Sequence, residues 1–238
     1  MKTGRFYGVG LGPGDPGLVT LRALEVLRSV QVIYTAASRQ SGRSVSGAVI
    51  EALPGVSARR EELSFTMATD FPVRLARIDE HAERIAAELR MGNDCAFTTI
   101  GDPMTYSTCG YLLRALRRVL PELECEIVAG VNSWSALAAA SASPLVEDNG
   151  VLRIVPSYLR PDSPELHRML ETEGAVVLLK TYRSRNEYLD SLAGEEYDLL
   201  YGANIGLENE FISSDPEAIR ERPDEYLSML MIRKGARR

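Results

Sequence analysis

Phe6-Tyr7-Gly8-Val9-Gly10-Leu11-Gly12-Pro13-Gly14-Asp15-Pro16-Gly17 is the stretch on which the fold turns. Its opening, Phe6 to Gly10, has the short apolar and aromatic character of a buried strand. The remainder cannot be helical, because Gly and Pro interrupt it. Thr20 then caps a helix in which Leu21, Leu24 and Leu27 recur at near-helical spacing, and the apolar run Val30 to Tyr34 follows. Strand, loop, helix and strand is the opening of an α/β domain.

The alternation continues outward from there. A helix is predicted near Ser46 to Leu53, a strand near Arg60 to Phe65, and a long amphipathic helix from about Pro72 to Arg90 carrying Leu75, Ile78, Ile85 and Leu89. Gly92-Asn93 stops that helix. The strand Cys95 to Ile100 ends at Gly101-Asp102-Pro103, and a helix from Thr108 to Val119 precedes the strand Cys125 to Val128. This pattern predicts an α/β fold with a mostly parallel sheet and helices on both faces. Ligands of such sheets bind at the carboxyl ends of strands, where Gly12-Pro13-Gly14, Gly101-Asp102-Pro103 and Gly130-Val131-Asn132-Ser133 all fall.

After Pro144 the character changes, with strands expected near Val151 to Val155, Ala175 to Lys180, Asp198 to Gly202 and Leu227 to Arg233. We therefore expect two α/β domains, residues 1–143 with the glycine-rich loop and residues 144–238, joined within Ser141 to Gly150. Pro161 to Glu165 and Asp215 to Pro223 read as surface connections. There is no internal repeat.

Composition narrows the function. At 238 residues and 45% hydrophobic the chain can bury a sizeable core. Its net charge of -6, from 33 acids against 27 bases, and the want of a dense basic block argue against a nucleic-acid partner. No apolar run reaches the roughly 18 to 20 residues of a membrane helix, and Met1 to Arg5 leads into a strand and not a signal core, so a cytoplasmic protein without a membrane partner is expected. Cys95, Cys109 and Cys125 match no zinc or disulfide spacing, and His81 and His167 are the only histidines, so no metal site is expected. His81, beside Glu80 and Glu83, reads as a helix-surface residue.

Gly12 to Gly17 satisfies G-x-G-x-x-G between a strand and a helix, the setting of a dinucleotide fingerprint. The second strand, however, runs into Thr35-Ala36-Ala37-Ser38, with no acid for a ribose hydroxyl. Two prolines also remove N–H donors that a pyrophosphate would use, and no Gly-Lys-Ser/Thr completes a P-loop. A nicotinamide or flavin site is thereby disfavoured, and a purely structural tight turn is the plain alternative.

Tyr7-Gly8-Val9-Gly10-Leu11-Gly12-Pro13-Gly14-Asp15-Pro16, followed by Leu18-Val19-Thr20-Leu21, resembles the N-terminal signature of the tetrapyrrole (corrin/porphyrin) methylases. Gly101-Asp102-Pro103 resembles the second signature of that family, and Gly130-Val131-Asn132-Ser133 is similar to its third loop. Within the family, Gly101-Asp102-Pro103-Met104-Thr105-Tyr106-Ser107-Thr108, Phe65-Thr66-Met67-Ala68-Thr69-Asp70 and Ser228-Met229-Leu230-Met231-Ile232 resemble the branch that methylates C-20 of precorrin-2 or cobalt-precorrin-2 in cobalamin biosynthesis. The uroporphyrinogen methylases usually carry an Asp where this chain has Ala36.

The resemblance implies a homodimeric enzyme that transfers a methyl group from S-adenosylmethionine to a small-molecule tetrapyrrole, with the donor folded between the two domains. It assigns donor binding to Pro13, Gly101, Asp102, Thr105, Ser133, Trp134, Lys180 and Ala203. Asp102 can accept from an ammonium or a ribose hydroxyl, or simply form a turn before proline; Trp134 can be core. Lys180 is expected to act through its backbone, since an ammonium would repel a sulfonium. Tyr106 is a substrate-side candidate, although Tyr106, Ser107 and Thr108 can equally cap the next helix. Because precorrin-2 carries many carboxylates, Arg39 and Arg43 are candidate substrate contacts, with solvated loop arginines as the alternative; Arg183 and Arg185 read as solvated. The proton acceptor is unassigned. Rival readings are another methylase of the family, a diphthine-synthase-like enzyme, and a nucleotide-binding module without turnover.

Overall fold

The computed structural model describes residues 2–37, 44–65, 71–156 and 159–234. They fall into two compact units, Met1–Asn132 and Ser133–Arg238. The first contains β1 (Phe6–Gly10), α1 (Leu21–Ser29), β2 (Val32–Ala36), α2 (Val45–Ala52), β3 (Arg59–Leu63), α3 (Phe71–Arg90), β4 (Cys95–Thr99), α4 (Cys109–Val119) and β5 (Cys125–Val128). Its sheet, in the order β3-β2-β4-β1-β5, is parallel throughout.

Side chains alternate across the pleat, so one strand feeds two cores. Phe6, Tyr34 and Phe97 pack with Ile85 and Leu89 of α3 and with Leu112 and Leu116 of α4. Tyr7, Val9, Ile33 and Ala96 pack with Ala23, Val26 and Leu27 of α1 and with Val49 and Ile50 of α2. Each such leucine or isoleucine, removed from water, contributes about 1.5–3 kcal/mol. α4 shows how sequence makes the face: Leu112, Leu113, Ala115 and Leu116 are buried, while Arg114, Arg117 and Arg118 are exposed.

The chain order has a functional consequence. β1 and β4 are parallel neighbours, yet α1 leaves β1 for one face and α4 leaves β4 for the other. The chains after these strands therefore lead to opposite faces, a switch point of the kind at whose carboxyl edge such sheets take ligands.

The second unit contains α5 (Ser133–Ala140), β6 (Val151–Pro156), α6 (Pro164–Glu171), β7 (Gly174–Leu179), α7 (Arg185–Ser191), β8 (Tyr197–Ala203), β9 (Phe211–Ser213), α8 (Pro216–Arg220) and β10 (Ser228–Lys234). Its sheet runs β6-β7-β10-β8-β9, with β6 parallel to β7 and the last strand, β10, inserted antiparallel between β7 and β8. Leu166 and Leu170 of α6, Tyr188 and Leu189 of α7 and Ile219 of α8 pack with Tyr201, Leu230 and Ile232.

Several readings of the sequence change here. α5 groups with the second unit, Leu137 lying against β8 at Gly202, whereas the sequence changes character only after Pro144. Within Asp215 to Pro223, Asp215 caps α8 by accepting from the Glu217 N–H, and Ile219 is fully buried, so this segment is more than a surface connection. His81 is buried, not a surface residue: its Nε2 lies 2.9 Å from the Ser64 carbonyl oxygen and its ring meets Phe65 edge-on. The flanking acids misled the reading, because α3 turns His81 inward between them. Arg185, expected in solvent, is buried and donates to the carbonyls of Arg222 and Pro223.

Among the described residues no helix is long and apolar enough to cross a membrane, and no group of His, Cys, Asp and Glu is arranged to hold a metal ion.

Candidate functional site

The three loops singled out in the sequence meet at the carboxyl edge of the first unit's sheet. After β1 the Leu11 N–H donates to the Thr99 carbonyl at 2.9 Å, and Gly12 forms an isolated antiparallel bridge with Gly101, whose N–H reaches the Gly12 carbonyl at 2.7 Å. Pro13 is buried beside them. Beyond it Asp15 accepts from the Gly17 N–H and Thr20 caps α1 by accepting from the Ala23 N–H, so the loop turns sharply into its helix.

The second loop is organised by Asp102. One carboxylate oxygen accepts from the Met104 N–H at 2.9 Å and the Thr105 hydroxyl at 3.3 Å; the other accepts from the Gly130 N–H at 3.2 Å. Asp102 is thus both the turn-forming aspartate before a proline and a tie to the third loop. Tyr106 is exposed and holds a left-handed backbone, φ 50°, unusual for a bulky residue. Thr108 stands at the N-cap of α4 without a side-chain cap bond, and the Ser107 hydroxyl before it accepts from the Cys109 N–H at 3.1 Å.

Gly101 has open space beside its backbone. Its φ is +74°, and a Cβ built there meets nothing within 4 Å, so open space lies directly before the backbone. Gly130 is the opposite case, its hypothetical Cβ falling 2.2 Å from the Gly101 carbonyl oxygen. The loops are close-packed on one side and open on the other.

In the second unit the sheet sets Lys180 and Ala203 on either side of Ser228. The Lys180 N–H donates to the Ser228 carbonyl at 2.6 Å, and Ser228 pairs with Ala203 across β10 and β8. Lys180 is left-handed, φ 61°, and its Nζ lies 5.3 Å from the centre of the Tyr226 ring, which turns the ammonium onto an aromatic face. Asn204, next after Ala203, is also left-handed. The Thr181 and Ser228 hydroxyls are buried with no hydrogen-bond partner among the described residues. Ser133 begins α5, and Trp134, its second residue, is buried. Arg39, Arg43 and the segment 66–70 lie outside the described residues.

Sequence reading missed Thr181 and Asn204, which nothing in the local sequence marks; it marked the loop beginning at Gly130 but not the bond that this loop makes to Asp102. Ser228 was visible only as part of a resemblance.

In the first unit, open space before a left-handed glycine with neighbouring backbone donors and acceptors suits a small polar ligand.

A parallel sheet whose strand-end loops meet at a switch point, followed by a mixed sheet, defines the class: an α/β protein with loops placed for a small ligand. Residues 5–218 match the family model for Tetrapyrrole (Corrin/Porphyrin) Methylases, and the chain belongs to that family of S-adenosylmethionine-dependent methyltransferases. It is 32% identical over 179 residues to the cobalt-precorrin-2 C(20)-methyltransferase of Salmonella typhimurium, covering 75% of this chain and 73% of the relative. It is 28% identical over 243 residues to the precorrin-2 C(20)-methyltransferase of a Sinorhizobium species, covering 96% and 95%. The crystal structure of uroporphyrin-III C-methyl transferase from Thermus thermophilus complexed with S-adenosyl homocysteine superposes with a TM-score of 0.65 at 21% identity, over 97% of this chain and 98% of that one.

Proposed function

We propose that this enzyme methylates C-20 of precorrin-2 or cobalt-precorrin-2 in cobalamin biosynthesis. Geometry carries the methyltransferase reading through one observation: the loops after β1, β4 and β5 are bonded to one another around open space at Gly101. The choice of substrate rests on the two C(20)-methyltransferases matched along most of the chain and on the segment Gly101 to Thr108.

S-adenosylmethionine supplies an already activated methyl group, so the protein's task is alignment and exclusion of water. Pro13, Gly101, Asp102 and Thr105 are the donor-binding residues we assign in the first unit, and Ser133, Trp134, Lys180 and Ala203 those we assign in the second. Thr181 and Ser228 add hydroxyls beside Lys180 that can satisfy polar atoms of the donor. Tyr106, Arg39 and Arg43 are the residues we assign to the tetrapyrrole, the arginines because their charge suits its carboxylates. The buried thiols of Cys95 and Cys109 take no part as nucleophiles: burial pushes both up to about 12. The enzyme works as a cytoplasmic homodimer.

The test is turnover of purified enzyme with methyl-labelled donor and precorrin-2, metal-free and cobalt-loaded in parallel. Label is expected at C-20, and the faster of the two substrates identifies the route. Label at another ring position, or on elongation factor in place of tetrapyrrole, overturns the assignment.

A further inference from the structure

The carboxylate of Asp102 has three of its acceptor positions filled by the protein itself. Met104 N–H and the Thr105 hydroxyl share one oxygen, while the Gly130 N–H takes the other. The first two bonds shape the turn after β4. The third is different, because it ties this turn to the loop after β5, on the far side of β1. Around it the backbones are packed without slack: a Cβ at Gly10 falls 2.7 Å from the Gly101 oxygen, and one at Gly130 falls 2.2 Å from it. An ionised carboxylate accepting backbone N–H bonds makes stronger bonds than a neutral acceptor, and is suited to hold such a contact.

We infer that Asp102 is a positioning residue: its side chain fixes the spacing of the second and third loops, and the donor is touched by the backbone so placed, not by the carboxylate. This rests on reading the meeting point of these loops as the methyl-donor site, and it separates the structural and binding roles that an aspartate at this position can play. The partner that makes it work is Gly130, for which a side chain leaves no room.

Asp102→Asn is the informative variant. Its amide can keep the turn by presenting oxygen to Met104 and Thr105, but then sets an NH2 against the Gly130 N–H, donor facing donor. Two measurements follow. Amide hydrogen exchange of the ligand-free wild type should show Gly130 protected, and the variant should lose that protection while melting only a few degrees lower. Calorimetry should then compare wild type and variant with S-adenosylhomocysteine, its analogue lacking the amino group, and its analogue lacking the ribose hydroxyls. A positioning role weakens all three by the same factor, about 10-fold or more, and raises the KM for the donor while the KM for the tetrapyrrole stays.

If the variant's loss disappears for one analogue, Asp102 contacts the group that analogue lacks, and the inference is overturned. Unchanged affinity for S-adenosylhomocysteine overturns it as well. An unprotected Gly130 amide in the wild type does the same without requiring any variant to fold. Failure of the wild type to bind S-adenosylhomocysteine removes the donor site itself, and is told apart because in the other outcomes wild-type binding is intact.

Discussion

A methyl group added at Gly130 lands 2.2 Å from a carbonyl oxygen, while one added at Gly101 meets nothing within 4 Å. The two glycines of one site thus fail for different reasons when replaced. Gly130→Ala forces the second and third loops apart, and is expected to cost about 1–3 kcal/mol of stability together with binding of S-adenosylhomocysteine. Gly101→Ala has only its left-handed backbone to strain, about 1 kcal/mol, yet its methyl occupies the open space. Melting curves and calorimetry read both variants; full affinity in Gly101→Ala would show that no ligand approaches that backbone. The thiols offer an independent check on burial. Because Cys95 and Cys109 are pushed up to about 12, a thiol reagent at about pH 8 should label Cys125 and leave the other two until unfolding. The same raised values set the sign of the alkaline response. Below about pH 9, the ordinary thiol value, stability is undiminished; between there and about 12 the unfolded chain loses protons that the folded one keeps, and stability falls.

At the scale of elements, β1, its loop and α1 were legible because Gly, Pro and a capping Thr act within a few residues of themselves. The strand Cys125–Val128 stands where the sequence places it, and the long helix begins one residue earlier, at Phe71. The second unit was less legible. β9 has three residues and α5 is a short alanine-rich run, so neither carries enough periodicity to be recognised. Arg185 shows the same limit in a side chain. An arginine after a strand reads as solvated, but here its guanidinium holds the carbonyls of Arg222 and Pro223, just before β10. Arg185→Ala leaves those acceptors without their donor, and we expect a loss of about 1–3 kcal/mol, with faster amide exchange at Asn204, whose N–H bonds the Leu227 carbonyl. Unaltered exchange there would confine Arg185 to its own helix.

For the molecule as a whole, ligand binding should appear as stability. At a hundred times its Kd, S-adenosylhomocysteine adds about 2.7 kcal/mol, which for a chain of this length raises the melting temperature by roughly 5–10 °C; a dinucleotide should leave it unmoved. A shift with NAD in place of S-adenosylhomocysteine would return the glycine loop to the nucleotide-fingerprint reading. By itself the sequence determined the alternation of strands and helices, the parallel first sheet, and the family resemblance. It also placed Gly12-Pro13-Gly14 and Gly101-Asp102-Pro103 at strand ends, since turn and strand preferences are local. Tertiary structure alone decided that Asp102 bonds Gly130, that β10 slips between β7 and β8 to set Ser228 beside Lys180 and Ala203, and that His81 turns inward. Those facts depend on register and packing between segments far apart in the chain, which local preference does not specify.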